Sequence, residues 1–200
     1  MSEYIKFRCE HEKTEKTPFA GFDELNAFRS KLRQRGLIGM DASGIGFGNL
    51  SVRDNANGFR ITGSGTGGLP ELTPADYAKV VAYDFAENWL RCEGPAIASS
   101  ESLTHAAVYE SEPTAGAVIH CHNSTLWAAL LDHAPTTSKA AEYGTPEMAF
   151  AVERLFKNSD VKAKKIFVMA GHEGGVVVFG KNLGEAFAVL EREMSNASSA

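Results

Sequence analysis

Two histidines separated by one residue, His120 and His122, stand in the run Val118-Ile119-His120-Cys121-His122-Asn123. The run opens apolar and β-branched, which predicts a strand, and side chains at i and i+2 of a strand leave the same face about 7 Å apart at Cα. Two imidazoles so placed can converge on one cation, and the same pair also reads as ordinary half-buried histidines. A third, His172, sits in Ala170-Gly171-His172-Glu173-Gly174-Gly175, where missing side chains let backbone and ligand come close. Three histidines hold zinc or a related divalent ion while leaving a coordination position open, the arrangement of a catalytic site. Glu101, in Ala98-Ser99-Ser100-Glu101-Ser102, is the candidate acid–base. Ser100 is the expected N-cap of a helix and Glu101 falls in its first turn, where the helix dipole favours a carboxylate with or without a catalytic role. Ser99 and Ser100 also offer hydroxyls and free N–H groups to an anion. Thr62-Gly63-Ser64-Gly65-Thr66-Gly67-Gly68 presents backbone N–H groups and small hydroxyls, and Gly48-Asn49 ends another glycine-rich passage just before a strand, as anion cradles and ordinary turns both do. His11, His105 and His133 lack such spacing and are expected at the surface or in helix packing.

These residues need elements to position them. Phe22, Leu25, Phe28 and Leu32 recur at helical spacing and predict a helix over 22–35 with Gly36 as its stop. An edge strand is expected at 4–8, strands at 49–53 and 59–62 joined by the turn-rich loop 54–58, and a strand at 77–84. Beyond these come a helix over 100–110, a strand at 115–121 and a short amphipathic helix at 125–131. Thr145-Pro146-Glu147 opens a helix to about Lys157. Strands at 165–169 and 176–179 flank the His172 turn, and a helix over 183–194 closes the fold. Gly63-x-Gly65-x-x-Gly68 matches the dinucleotide-binding fingerprint, with Asp84 where a ribose-binding acid would fall. Leu69-Pro70-Glu71-Leu72-Thr73-Pro74 intervenes where that fingerprint opens a helix, which argues against it, and no Lys-Ser/Thr follows to make a P-loop.

The chain has 200 residues, 20 Lys+Arg against 25 Asp+Glu, a formal charge of −5 and 44% hydrophobic residues. That composition predicts one domain over 1–200, with 1–18 an N-terminal extension and 195–200 a polar tail. The mild acidic excess gives no reason to expect nucleic acid, and a mean hydropathy of −0.19 without a long apolar run gives none to expect a membrane span. Cys9, Cys92 and Cys121 are odd in number and widely spaced, so no disulfide framework or CxxC motif is expected. With a charged start that lacks a signal peptide's apolar region, this predicts a cytoplasmic protein whose partners are small molecules and copies of itself.

Taken in order, the motifs resemble those of the class II aldolase/adducin family over about 22–194. Gly48-Asn49-Leu50-Ser51 is similar to its GN[LVI]S segment, Ile61-Thr62-Gly63-Ser64-Gly65 to its phosphate loop and Ser99-Ser100-Glu101 to its SSE helix start. His120-Cys121-His122 matches its HxH and Gly171-His172 its third ligand position, with Tyr143-Gly144-Thr145-Pro146-Glu147 and Phe179-Gly180 in support. The resemblance implies an α/β fold, three-layer α-β-α with a central, largely antiparallel sheet. It implies that His120, His122 and His172 bind a divalent metal ion, zinc for preference, and that Glu101 transfers the proton and serves as a fourth ligand when substrate is absent. Gly48, Asn49, Ser64, Gly65, Ser99 and Ser100 would hold a substrate phosphate.

The implied activity is an aldolase, a lyase cleaving a ketose phosphate by retro-aldol chemistry through a metal-stabilised enediolate, in a cyclic homotetramer. The family's scaffold equally serves dehydratases, epimerases and decarboxylases, and its adducin branch is a non-catalytic interaction protein. Between His122 and Tyr143 the chain is shorter than in the sugar-phosphate aldolases and lacks the segment bearing their catalytic tyrosine. Glu173 could add a carboxylate near the metal or lie exposed in its turn. The end soon after Met194 implies that a C-terminal element used by some relatives is absent.

Overall fold

A computed structural model describes residues 5–15, 19–54 and 58–198. The elements run β1 (Arg8–Glu12), α1 (Phe22–Gln34), β2 (Gly39–Met40), β3 (Gly46–Phe47), β4 (Asn49–Arg53), β5 (Phe59–Thr62), β6 (Tyr77–Asp84), β7 (Trp89–Glu93), α2 (Ser102–Ser111), β8 (Ala117–His122), α3 (Ser124–Leu130), α4 (Pro146–Asn158), α5 (Val161–Lys164), β9 (Ile166–Val168), β10 (Gly175–Gly180) and α6 (Leu183–Ser198). Eight strands form one sheet in the order β1-β7-β6-β5-β4-β8-β10-β9. Neighbours are antiparallel except β1 and β7, which run parallel, so the sheet is mixed.

Alternation along the central strands sorts the core into two faces. Val118 of β8 and Val177 and Phe179 of β10 pack with α2 and α4, while Ile119, Cys121, Val176 and Val178 pack with α1, α3 and α6. With helices on both sides, β8 and β10 are buried nearly throughout. The face under α2 and α4 carries His120 and His122, two and four residues beyond Val118. Helix α2 is buried on every side from Ser102 to Tyr109, so its polar members must find partners inside the protein.

Several expectations change. The strand expected at 4–8 lies at Arg8–Glu12, and the segment read as an N-terminal extension thus supplies a sheet edge; residues 1–4 lie outside those described. Strand β7 was not expected: its buried–exposed alternation follows a tight turn at 85–88 and is masked by polar neighbours. The tail expected from residue 195 continues α6 to Ser198. Residues 55–57 of the expected hairpin loop lie outside those described, but the strands it joins, 49–53 and 59–62, pair as expected. No helix follows the Gly63–Gly68 loop; Thr73 and Asp76 instead form a capping box around the single turn Pro74–Asp76. Cys9 and Cys92 are free thiols with sulfurs 3.7 Å apart, a contact no spacing rule reveals. Among the described residues no helix is long and apolar enough to cross a membrane.

Candidate metal centre

Three neighbouring strands bring the histidines together. In β8, His120 lies opposite Asn49 of β4 on one side and Val177 of β10 on the other, and His122 lies opposite Gly175 at the start of β10. His172 occupies the turn between β9 and β10. A nitrogen from each of His120, His122 and His172 lies within 4.8 Å of the other two. His122 Nε2 and His172 Nε2 are 2.9 Å apart, and the strand end is fixed by His122 N–H donating to Leu37 O at 3.0 Å. Asn123 then caps α3 by accepting from the Leu126 N–H.

Glu101 stands beside this cluster. It occupies the N-cap position of α2, where Ser100 was expected, and its side chain does not cap; it is 2% exposed. Thr104 donates to Oε2 at 2.8 Å, while Oε1 has no hydrogen-bond partner and lies 3.8 Å from His172 Nε2. Burial pushes this carboxyl up to about 7, against the Thr104 hydrogen bond, which pulls it down. The same burial drives His122 down to about 4 and His172 down to about 3. His120 is held well below the imidazole range, by burial first and then by its histidine neighbours. The three rings are therefore neutral at pH 7, the state in which imidazole binds metal. His120 Nε2, like Glu101 Oε1, is buried without a partner.

A cavity of about 580 Å³ opens onto this cluster, lined also by Asp41, Phe47, Asn123, Tyr143 and Glu173. Tyr143, which the sequence offered only at the head of the supporting match Tyr143-Gly144-Thr145-Pro146-Glu147, has its ring 4.8 Å from that of His172 and under the Lys6 ammonium, 4.0 Å from the ring centre. Lys6 is itself paired with Glu142 at 2.9 Å. A smaller cavity of about 100 Å³ adjoins through the shared walls Gly46, Gly48, Asn49 and Ser100. All six residues expected to hold an anion, Gly48, Asn49, Ser64, Gly65, Ser99 and Ser100, line it. No Lys or Arg does so among the described residues, so its donors are backbone N–H groups, hydroxyls and an amide. Gly48 has φ of 75°, and a Cβ there would come within 2.6 Å of Ile38 Cγ1, so glycine is required.

His105, expected at the surface or in helix packing, packs inside α2, and the structure adds polar partners that this expectation did not include. It is fully buried, lies 2.7 Å from both Asn49 Oδ1 and Ser51 Oγ, and through Asn49 adjoins His120. Nothing in the sequence flags it, because its partners lie more than fifty residues away on β4.

The family model described as Class II Aldolase and Adducin N-terminal domain matches residues 34–194. Among solved structures, YgbL of Klebsiella pneumoniae, whose activity is left among aldolase, epimerase and decarboxylase, is 22% identical with a TM-score of 0.66, over 88% of this chain and 86% of that one. The L-fuculose-1-phosphate aldolase of Thermus thermophilus is 24% identical with a TM-score of 0.64, over 88% and 90% of the two chains. A sugar-phosphate aldolase of Thermotoga maritima is 17% identical with a TM-score of 0.65, over 88% and 90%. No curated protein sequence matches the chain.

Proposed function

The chain belongs to the class II aldolase and adducin family, and from that premise we propose that it is a lyase cleaving a small ketose phosphate by retro-aldol chemistry at a divalent cation. The carrying observation is the pair of buried, unpartnered atoms Glu101 Oε1 and His120 Nε2 beside three neutral imidazoles. Each orphaned atom costs about 1–3 kcal/mol, a penalty that a cation bound at the cluster would relieve. His120, His122 and His172 would hold the ion, zinc for preference, since imidazole suits the borderline metals. When bound, it supplies Lewis acidity to the oxygens of the substrate's carbonyl and adjacent hydroxyl.

The protein's own groups do the rest. Thr104 ties down Glu101 Oε2, which leaves Oε1 to take a proton from the substrate and return it. Gly48, Asn49, Ser64, Gly65, Ser99 and Ser100 would hold the phosphate in the smaller cavity through N–H, amide and hydroxyl donors. The buried walls of β8 and α2 keep bulk water from the carboxylate, which strengthens its pull on a substrate proton. This reading brings a cytoplasmic homotetramer with it, and a monomer in light scattering at micromolar concentration would count against that part.

A second reading, a dehydratase, epimerase or decarboxylase on the same scaffold, is favoured by the short segment between His122 and Tyr143, which holds no tyrosine. Product analysis separates the two: two carbonyl fragments mean cleavage, whereas loss of water, CO₂ or stereochemistry means the other chemistry. The primary test is metal content and turnover. Purified protein should carry about one divalent ion per chain, lost in the His120→Ala/His122→Ala variant. Glu101→Gln should keep the metal and lose about 10²–10⁴ in turnover of ketose phosphates. Full turnover in Glu101→Gln would remove this residue from the chemistry, and wild type without metal would leave the non-catalytic reading.

A further inference from the structure

We propose that His105 is a positioning residue of the metal centre: through the Asn49 carboxamide it sets which nitrogen of His120 carries the proton. The inference rests on the metal-centre reading above. Tyr109 and His105, one turn apart on α2, both reach Ser51 of β4, whose Oγ lies 2.8 Å from the Tyr109 hydroxyl and 2.7 Å from His105 Nδ1. On the far side of the same ring, His105 Nε2 is 2.7 Å from Asn49 Oδ1, and Asn49 Nδ2 is 3.3 Å from His120 Nδ1. The chain Tyr109–Ser51–His105–Asn49–His120 is buried throughout, and His105 lines neither cavity of the site.

Such a chain has two self-consistent polarities. In the first, His105 Nε2–H donates to Asn49 Oδ1 and the Asn49 amide N–H donates to His120 Nδ1. His120 then keeps its proton on Nε2, the atom without a partner, and that proton blocks ligation. Rotating the carboxamide by half a turn gives the second. His120 Nδ1–H donates to the amide oxygen, the amide N–H donates to His105 Nε2, and His105 Nδ1–H donates to Ser51 Oγ, a hydroxyl that accepts as readily as it donates. Both imidazoles stay neutral in both arrangements, so no proton enters or leaves. Only the second frees His120 Nε2 to bind a cation, as metal-bound histidines require of the partner on their other nitrogen. A neutral imidazole, with one donor and one acceptor that exchange places, is the group that serves both polarities. A residue that merely filled the space under α2 would not need them.

Zinc titration of metal-free protein against a chromophoric chelator tests this without any substrate. His105→Phe, which keeps the ring volume and loses both hydrogen bonds, should bind Zn²⁺ about 10–100-fold more weakly than wild type. His105→Gln, whose amide offers one acceptor and a donor, should recover most of the loss. Equal affinity in wild type and His105→Phe overturns the proposal. Should the phenylalanine variant not fold, long-range ¹H–¹⁵N spectra of zinc-loaded wild type decide instead. A His105 protonated on Nδ1 with Nε2 bare supports the assignment, and the opposite tautomer overturns it. A wild type that takes up no Zn²⁺ removes the metal-centre reading and this inference together. Tight binding indifferent to position 105 removes this inference alone.

Discussion

A methyl group added at Gly175 would lie 2.8 Å from Cδ2 of His172 and 3.4 Å from Nε2 of His120. The backbone there is ordinary for an L-residue, so the strain would fall on the rings and on the His172 carbonyl, 2.9 Å away. Gly175→Ala should therefore fold and yet bind divalent metal at least about tenfold more weakly, a loss of about 1.4 kcal/mol. Chelator competition reads this directly, and unchanged affinity would show that the His172 ring has room to retreat. At this scale the histidines and Glu101 stood out in the sequence because their types are chemical and each sits in a telling local run: His120 and His122 two apart on a strand, His172 among glycines, Glu101 after two serines. Thr104 and His105 did not, and Tyr143 entered only with a supporting motif, because each acquires its place from what it meets in the fold: the inward-turned carboxylate of Glu101 for Thr104, Asn49 for His105, and the His172 ring for Tyr143. Ser100 failed as a cap for a related reason: burial of α2 up to its first residue puts the Glu101 backbone at the cap position and turns its side chain inward.

Helix α1 contributes something its amphipathic pattern hides. Arg29 is 1% exposed, and its guanidinium donates to the carbonyls of Thr66, Gly67, Leu69 and Pro70, behind the loop whose other side lines the smaller cavity. With its carbonyls turned to Arg29, the loop is held in one shape from beneath. Arg29→Met would leave those carbonyls without their donor, at about 2–4 kcal/mol. For a chain of this size that is a fall of roughly 5–15 °C in thermal midpoint. Zinc affinity should be unaffected, since α1 contributes no ligand. Calorimetry with and without metal would separate the two effects, and an unchanged midpoint would mean the loop holds its own shape. Sequence periodicity placed α1 and most strands within a residue or two, because apolar spacing reports burial. It could not show a buried arginine at a helix position that normally reads as surface, nor the parallel strand β1, whose partner β7 lies some eighty residues on.

Across the whole molecule the site makes stability depend on pH. Four histidines, the buried His105 and His120 and the half-buried His122 and His172, are held neutral, with His105 and His172 driven to about 3 and His122 to about 4 from an ordinary 6.5. A group whose folded value is depressed binds its proton only on unfolding, so each histidine costs stability as pH falls below 6.5. Glu101, raised by burial from 4.5 to about 7, works the other way: the folded form holds a proton that the unfolded chain has released, so it costs stability as pH rises from 4.5 towards 7. Near pH 5.5 the sum is an uptake of about three protons on unfolding, a slope of roughly 4 kcal/mol per pH unit. Metal-free protein should thus lose stability steeply between pH 6.5 and 5, a range in which most carboxylates have not begun to titrate. Removing the opposing group sharpens the test. Glu101→Gln should be more stable than wild type at pH 7 and should lose stability faster on acidification, with an uptake nearer four protons. Urea unfolding of chelator-treated protein at pH 7.5, 6.5 and 5.5 measures both slopes. A flat wild-type profile would mean that the histidines already carry their protons in the folded state, and so that water reaches a cluster whose burial here keeps it neutral.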